Sequence, residues 1–176
     1  VELELVSVDR FKANYTMELH EKIETQLKRK EQGNALFKAA DYVGALRRYD
    51  EALEYAGWAS EVCQRDVLYA EQHKQRKQID ETRVATHVNM AVCHMRIAEA
   101  WRAAEASGAA VPPEWTTVPS KASQEQDSAA SSLAHISRAV AQCTKALLVG
   151  GGSMKALFRR GQAFRMMGDL IKARDD

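Results

Sequence analysis

The first eight residues, VELELVSV, alternate apolar and polar side chains over most of their length and are rich in valine. That is the pattern of a β-strand with one buried face. No other stretch reads convincingly as strand, and a lone strand has no ladder for its backbone groups, so it must pair with another molecule or belong to a sheet lying elsewhere. From about Thr16 the period changes. Leu19, Ile23 and Leu27 recur every four residues, on one helical face, with Thr16 placed to cap the start and Glu18 in the first turn. Helical patterning dominates from there. It lapses in SGAAVPPEWTTVPSKASQEQDSAASS, Ser107 to Ser132, which holds all three prolines and reads as a mobile loop, and it resumes from Leu133 to Val149. Gly150, Gly151 and Gly152 followed by Ser153 read as a helix stop and the N-cap of the next helix.

Small residues recur at fixed intervals along this helical pattern. Gly33 and Ala45 are twelve residues apart, as are Gly161 and Ala173; Ala45, Tyr49 and Ala52 are matched in spacing by Ala139, Cys143 and Ala146; and Ala139 to Ala173 is a step of 34. A period of 34 with a small residue in each helix is the signature of tetratricopeptide repeats, in which small residues let paired helices approach and bulky ones fill the seam. The expected fold is therefore all-α. Three helix-turn-helix repeats are expected: about 27–59, about 83–148 interrupted by the insert 107–132, and about 153–176, the last ending just inside its second helix. The excess of residues between the first two repeats lengthens the helices around Cys63 to Glu81. Arg29 stands where this repeat pattern often has tryptophan.

Composition narrows the chemistry. Lys plus Arg (25) nearly balance Asp plus Glu (24), so the chain lacks the overall field of a nucleic-acid or membrane-surface binder, and electrostatic work must be local. No apolar run approaches the roughly 20 residues that span a bilayer, and the start lacks the basic and apolar regions of a signal peptide, which points to a cytoplasmic protein. The three cysteines, Cys63, Cys93 and Cys143, are far apart without a C-x-x-C, so packed thiols are expected rather than disulfides or zinc. HEKIE at His20 to Glu24 lacks the second histidine of a zinc-protease motif, and VGGGSMK at Val149 to Lys155 lacks phosphate-loop spacing. No catalytic residue, metal ligand or cofactor is assigned. His94 is expected in a helix seam, and the basic run HKQRKQ, His73 to Gln78, on the solvated extension of a long helix.

The polar residues of the first helices stand out against this background. In a tetratricopeptide array those helices line a concave groove that binds extended peptides. Lys30 and Asn34 lie one turn apart on the first, Asn89 on the second, and Lys155 and Arg159, again one turn apart, on the third. Lysine, arginine and amide groups supply donors, which is what a carboxylate requires. The set K-x-x-x-N, N, K-x-x-x-R resembles the carboxylate clamp of chaperone-binding tetratricopeptide domains. That resemblance implies that Lys30, Asn34, Asn89, Lys155 and Arg159 grip the terminal carboxylate and last aspartate of a C-terminal Glu-Glu-Val-Asp peptide, from heat-shock protein 90 or 70.

The order VELELVSV, a connecting helix, KEQGNALFKAADYVGALRRYDEAL, HVNMAVCHMRI and KALFRRGQAF resembles the C-terminal half of the FK506-binding immunophilins, the FKBP-type peptidyl-prolyl isomerase family. The resemblance covers nearly the whole chain outside 107–132. It implies that residues 1–12 are the last strand and linker of an isomerase domain otherwise lying outside this chain, that 13–176 are a tetratricopeptide-repeat domain, and that this chain is an adaptor rather than an enzyme. A helical scaffold without clamp activity, supporting an attached isomerase domain, is the competing expectation.

Overall fold

The helical periodicity is realised as six helices in a computed structural model that describes residues 16–65, 70–115 and 131–176. They are α1 (Leu19–Lys38), α2 (Tyr42–Arg65), α3 (Ala70–Ser107), α4 (Ser132–Gly150), α5 (Met154–Met167) and α6 (Leu170–Asp175), with a short 3-10 turn at Pro113–Trp115. No strand occurs among the described residues, and the strand expected at 1–8 lies outside them. No helix among the described residues is long and apolar enough to cross a membrane.

Helix ends follow local chemistry. α1 begins at Leu19 rather than at Thr16: Glu18 is the N-cap, and its backbone N–H donates to Glu21 Oε2 at 2.9 Å, satisfying an otherwise orphaned group. The aspartate of the DY turn does similar work for α2, since Asp41 Oδ1 accepts from the Gly44 N–H at 2.8 Å. The glycine run stops α4 as expected, with Gly151 at φ 54, and the Ser153 side chain accepts from the Ala156 N–H to start α5. α1 is one continuous helix, so the connecting helix and the first helix of repeat one are fused. α3 begins well before Arg83 and carries the solvated run His73 to Gln78 on its extension.

Buried alanines set the packing. Ala45 and Ala52 of α2, Ala91 and Ala98 of α3, Ala139 and Ala146 of α4, and Ala156 and Ala163 of α5 are seven residues apart in each pair, and all are fully buried. Two turns of helix separate the members of a pair, so each pair marks one stripe along which a neighbouring helix can approach closely. α1 pairs with α2, α3 with α4 and α5 with α6, while α3 also touches α1 and α5. Larger side chains fill the seams: Val43, Leu46, Tyr49, Met90 and Ile97 form one cluster, and Met95, Ile136 and Cys143 join Ala91, Ala98, Ala139 and Ala163 in the next. The thiols of Cys93 and Cys143 lie in these clusters, and burial pushes each up to about 12. Extending the array toward its start, Ile23, Ala56, Ala59 and Ile79 join α1, α2 and the lengthened α3.

Part of the insert is folded against this core. Trp115 packs on the cluster around Val43 and Leu46, and its carbonyl oxygen lies 3.1 Å from His135 Nε2. An acceptor at that distance places the His135 proton on Nε2, leaving Nδ1 to accept from Nδ1–H of His94 at 3.2 Å. His94 thus sits in the α3/α4 seam, with Trp115 of the insert at one end of the pair. Residues 116–130, where most of the expected mobile segment falls, lie outside the described residues.

Two consequences are measurable. A Cβ at Gly33 would sit 2.5 Å from Tyr49 Cε1, and Tyr49 is 1% exposed with no room to withdraw. Gly33→Ala is expected to cost about 1–3 kcal/mol by overpacking, outweighing the roughly 1 kcal/mol that alanine gains over glycine in a helix. Denaturant unfolding will show which effect wins. Separately, His87, His94 and His135 are held neutral by burial, His94 down to about 3 with His135 and Arg138 adding to the effect. The unfolded chain binds these protons near pH 6.5 and the folded chain does not. Stability from the three is complete above that pH and is lost progressively as pH falls below it, which thermal melts between pH 7.5 and 5 would reveal.

Candidate functional site in the groove of the first helices

α1, α3 and α5 are the first helices of the three pairs, and the contacts of α3 with both neighbours place them side by side. On α1 the helical repeat puts Lys30 and Asn34 on one face. Both are half-buried. Asn89, at the middle of α3, reaches the same place: its Nδ2 donates to Asn34 Oδ1 at 3.0 Å. Two of the five expected residues, 55 positions apart in the chain, are therefore directly bonded.

The same Asn34 oxygen accepts the hydroxyl of Tyr49 from α2 at 2.8 Å. The Tyr49 phenol is pushed up to about 12, chiefly by burial and secondarily by the nearby Cys93, while its Asn89 contact acts in the opposite direction. It is a protonated donor at any ordinary pH. Tyr49 was legible in the sequence only as one member of the small-and-aromatic repeat pattern. Its bond to Asn34 depends on how α1 and α2 pack, and no spacing rule could have supplied it.

Lys155 and Arg159 lie one turn apart on α5, Lys155 exposed and Arg159 half-buried. Arg159 Nη1 donates to Gln162 Oε1 at 2.7 Å, and its guanidinium stands 5.6 Å from the ring centroid of the exposed Phe158. No described bond joins this pair to the Asn34 and Asn89 amides. Among the described residues, none of Lys30, Lys155 and Arg159 forms an ion pair with a carboxylate. Arg160, adjacent in sequence, is committed elsewhere: it is paired with Asp176 across α5 and α6, and that bond raises its affinity for the proton. The arrangement offers ammonium, guanidinium and amide donors from α1, α3 and α5. Its chemistry suits an anionic ligand.

Among the described residues no group of three or more His, Cys, Asp or Glu side chains is arranged to hold a metal. The two buried histidines in contact, His94 and His135, spend three of their four ring nitrogens on their mutual bond and on the Trp115 carbonyl.

No protein-family model matches the chain. It is similar to peptidyl-prolyl cis-trans isomerase FKBP4 of Homo sapiens, 26% identical over 175 residues, and to the same enzyme of Rattus norvegicus, 25% identical over 175 residues. Each alignment covers 99% of this chain and 28% of the relative, so the chain spans under a third of the length of these proteins. Among solved structures, the C-terminal TPR-containing domain of an FK506-binding protein from Plasmodium falciparum superposes with a TM-score of 0.57 at 18% identity, covering 93% of this chain and 79% of that one. The solved structure speaks for the fold and the sequence relatives for the lineage. Taken with the paired helices and the order of their motifs, they show a tetratricopeptide-repeat fold in a chain similar to part of the FKBP-type immunophilins.

Proposed function

We propose that this domain is a chaperone-binding adaptor that recognises the C-terminal Glu-Glu-Val-Asp peptide of heat-shock protein 90 or 70. The observation that carries the reading is the bonded Asn34 and Asn89 amides beside Lys30, with Lys155 and Arg159 on the third of the adjacent helices and, among the described residues, none of the three cations paired with a carboxylate. A terminal aspartate presents two carboxylates and needs several donors at once. Lys30, Asn34 and Asn89 would hold one, Lys155 and Arg159 the other. Charge-assisted bonds of this kind are worth about 1.5–3 kcal/mol each. A few of them, less the cost of immobilising a short peptide, give a dissociation constant on the order of micromolar.

On this reading the domain is not itself an enzyme. The isomerase activity in the relatives' name would reside in a separate FKBP-type domain, to which residues 1–12 would contribute the last strand and the linker. The adaptor would bring that domain to a chaperone and act in the cytoplasm, where such chaperones meet their clients.

Calorimetric titration with Met-Glu-Glu-Val-Asp, as free acid and as C-terminal amide, tests the reading directly. The free acid is expected to bind and the amide to fail, since amidation removes the carboxylate. A folded domain that treats the two peptides alike would instead be a helical scaffold whose groove is incidental. Lys155→Ala and Arg159→Ala should each weaken binding by roughly tenfold or more. Binding should also weaken as sodium chloride is raised, because the contacts are ionic and partly exposed; salt-independent affinity would argue against a clamp.

A further inference from the structure

The Asn34 side chain has one oxygen and two N–H groups, and a carboxylate ligand can use only the latter. Which end faces the ligand is therefore decisive. Asn34 Oδ1 receives two donors, the Tyr49 hydroxyl at 2.8 Å and Asn89 Nδ2 at 3.0 Å, which together fill its two lone pairs. Rotating the amide by half a turn would set its NH2 group against the Asn89 NH2 and take away the acceptor of the Tyr49 hydroxyl proton. The Tyr49 hydroxyl has no other acceptor among its described bonds, and the ring is held at 1% exposure against Gly33. Asn34 Nδ2, by contrast, has no hydrogen-bond partner among the described residues, and the residue is only half-buried. Lys30 lies one turn away on the same helix face.

We propose that Tyr49 is a positioning residue of the carboxylate site: its buried hydroxyl locks the Asn34 amide with the NH2 group toward the ligand. The inference rests on the clamp reading above and deepens it. Tyr49 itself touches no ligand. It acts through Asn34, and because Asn89 bonds the same oxygen, one atom ties α1, α2 and α3 together at the point where a carboxylate would enter. Removing the hydroxyl leaves Asn34 held by Asn89 alone and free to sample the flipped amide, whose oxygen repels a carboxylate.

The test is Tyr49→Phe, which keeps the ring against Gly33 and removes only the hydroxyl. Titrated with the free-acid Met-Glu-Glu-Val-Asp peptide, this variant is expected to bind roughly three- to tenfold more weakly than the unaltered domain, with its far-ultraviolet circular dichroism unchanged. In an Asn34→Ala background the same substitution should cost markedly less, since there is no Asn34 amide left to orient and only the Tyr49 contact with Asn89 remains to be lost. The side-chain 15N–1H signals of Asn34, identified by their loss in Asn34→Ala, should shift in Tyr49→Phe. Equal affinities of Tyr49→Phe and the unaltered domain, or an undiminished loss in the Asn34→Ala background, would overturn the positioning role while leaving the clamp standing. Equal binding of acid and amide peptides by the unaltered domain would overturn the clamp, and the positioning role with it.

Discussion

Close approach of helices across buried alanines is the constraint on which the rest of the molecule depends. With a methyl group at each of Ala45, Ala52, Ala91, Ala98, Ala139, Ala146, Ala156 and Ala163, neighbouring helices can come near enough for bulky residues on either side to close the seams. Only at that spacing can a tyrosine hydroxyl on α2 reach an asparagine on α1, or an α3 asparagine reach the same atom. Substituting larger side chains on the stripe would separate the helices and break the polar bonds as a consequence. The polar site is in this sense a product of apolar packing.

Two buried polar arrangements illustrate how such packing uses hydrogen bonds. His135 is bonded at both ring nitrogens within the protein, to His94 and to the Trp115 carbonyl, and so fastens the start of the insert to the α3/α4 seam. Among the described residues, Asn34 finds partners only on its oxygen side. A histidine pair bonded in this way is structural and resists protonation because charge there would be stranded in a dry seam. A half-satisfied amide at a groove surface keeps donors in reserve. The difference in satisfaction, rather than residue type, separates the structural pair from the candidate binding pair.

The groove also shows how neighbouring arginines divide their roles. Arg159 and Arg160 are adjacent, yet a helix turns by about 100° per residue, so they face different surroundings. Arg160 meets Asp176 and joins α5 to the end of α6, while Arg159, among the described residues, bonds the uncharged amide of Gln162 and lies by Phe158. A cation already neutralised by an internal carboxylate has little to offer a ligand. One that leans on a neutral amide keeps its charge available.

The sequence by itself determined the helical class, the stops at the glycine run, and the recurrence of small residues that specifies paired helices, because periodicity and capping depend on residues within a turn or two of each other. It also placed Lys30 with Asn34 and Lys155 with Arg159, since four-residue spacing on a helix is local geometry. The relation to FKBP-type immunophilins was legible for the same reason, in short motifs kept in order. What only the tertiary structure decided lies between elements: that Trp115 folds back onto the core, that His94 meets His135, and that Tyr49 and Asn89 converge on one oxygen of Asn34. Partners 15, 41 and 55 residues apart are chosen by the distance and angle at which helices pack. Those depend on every side chain in the seam at once, and no local pattern encodes them.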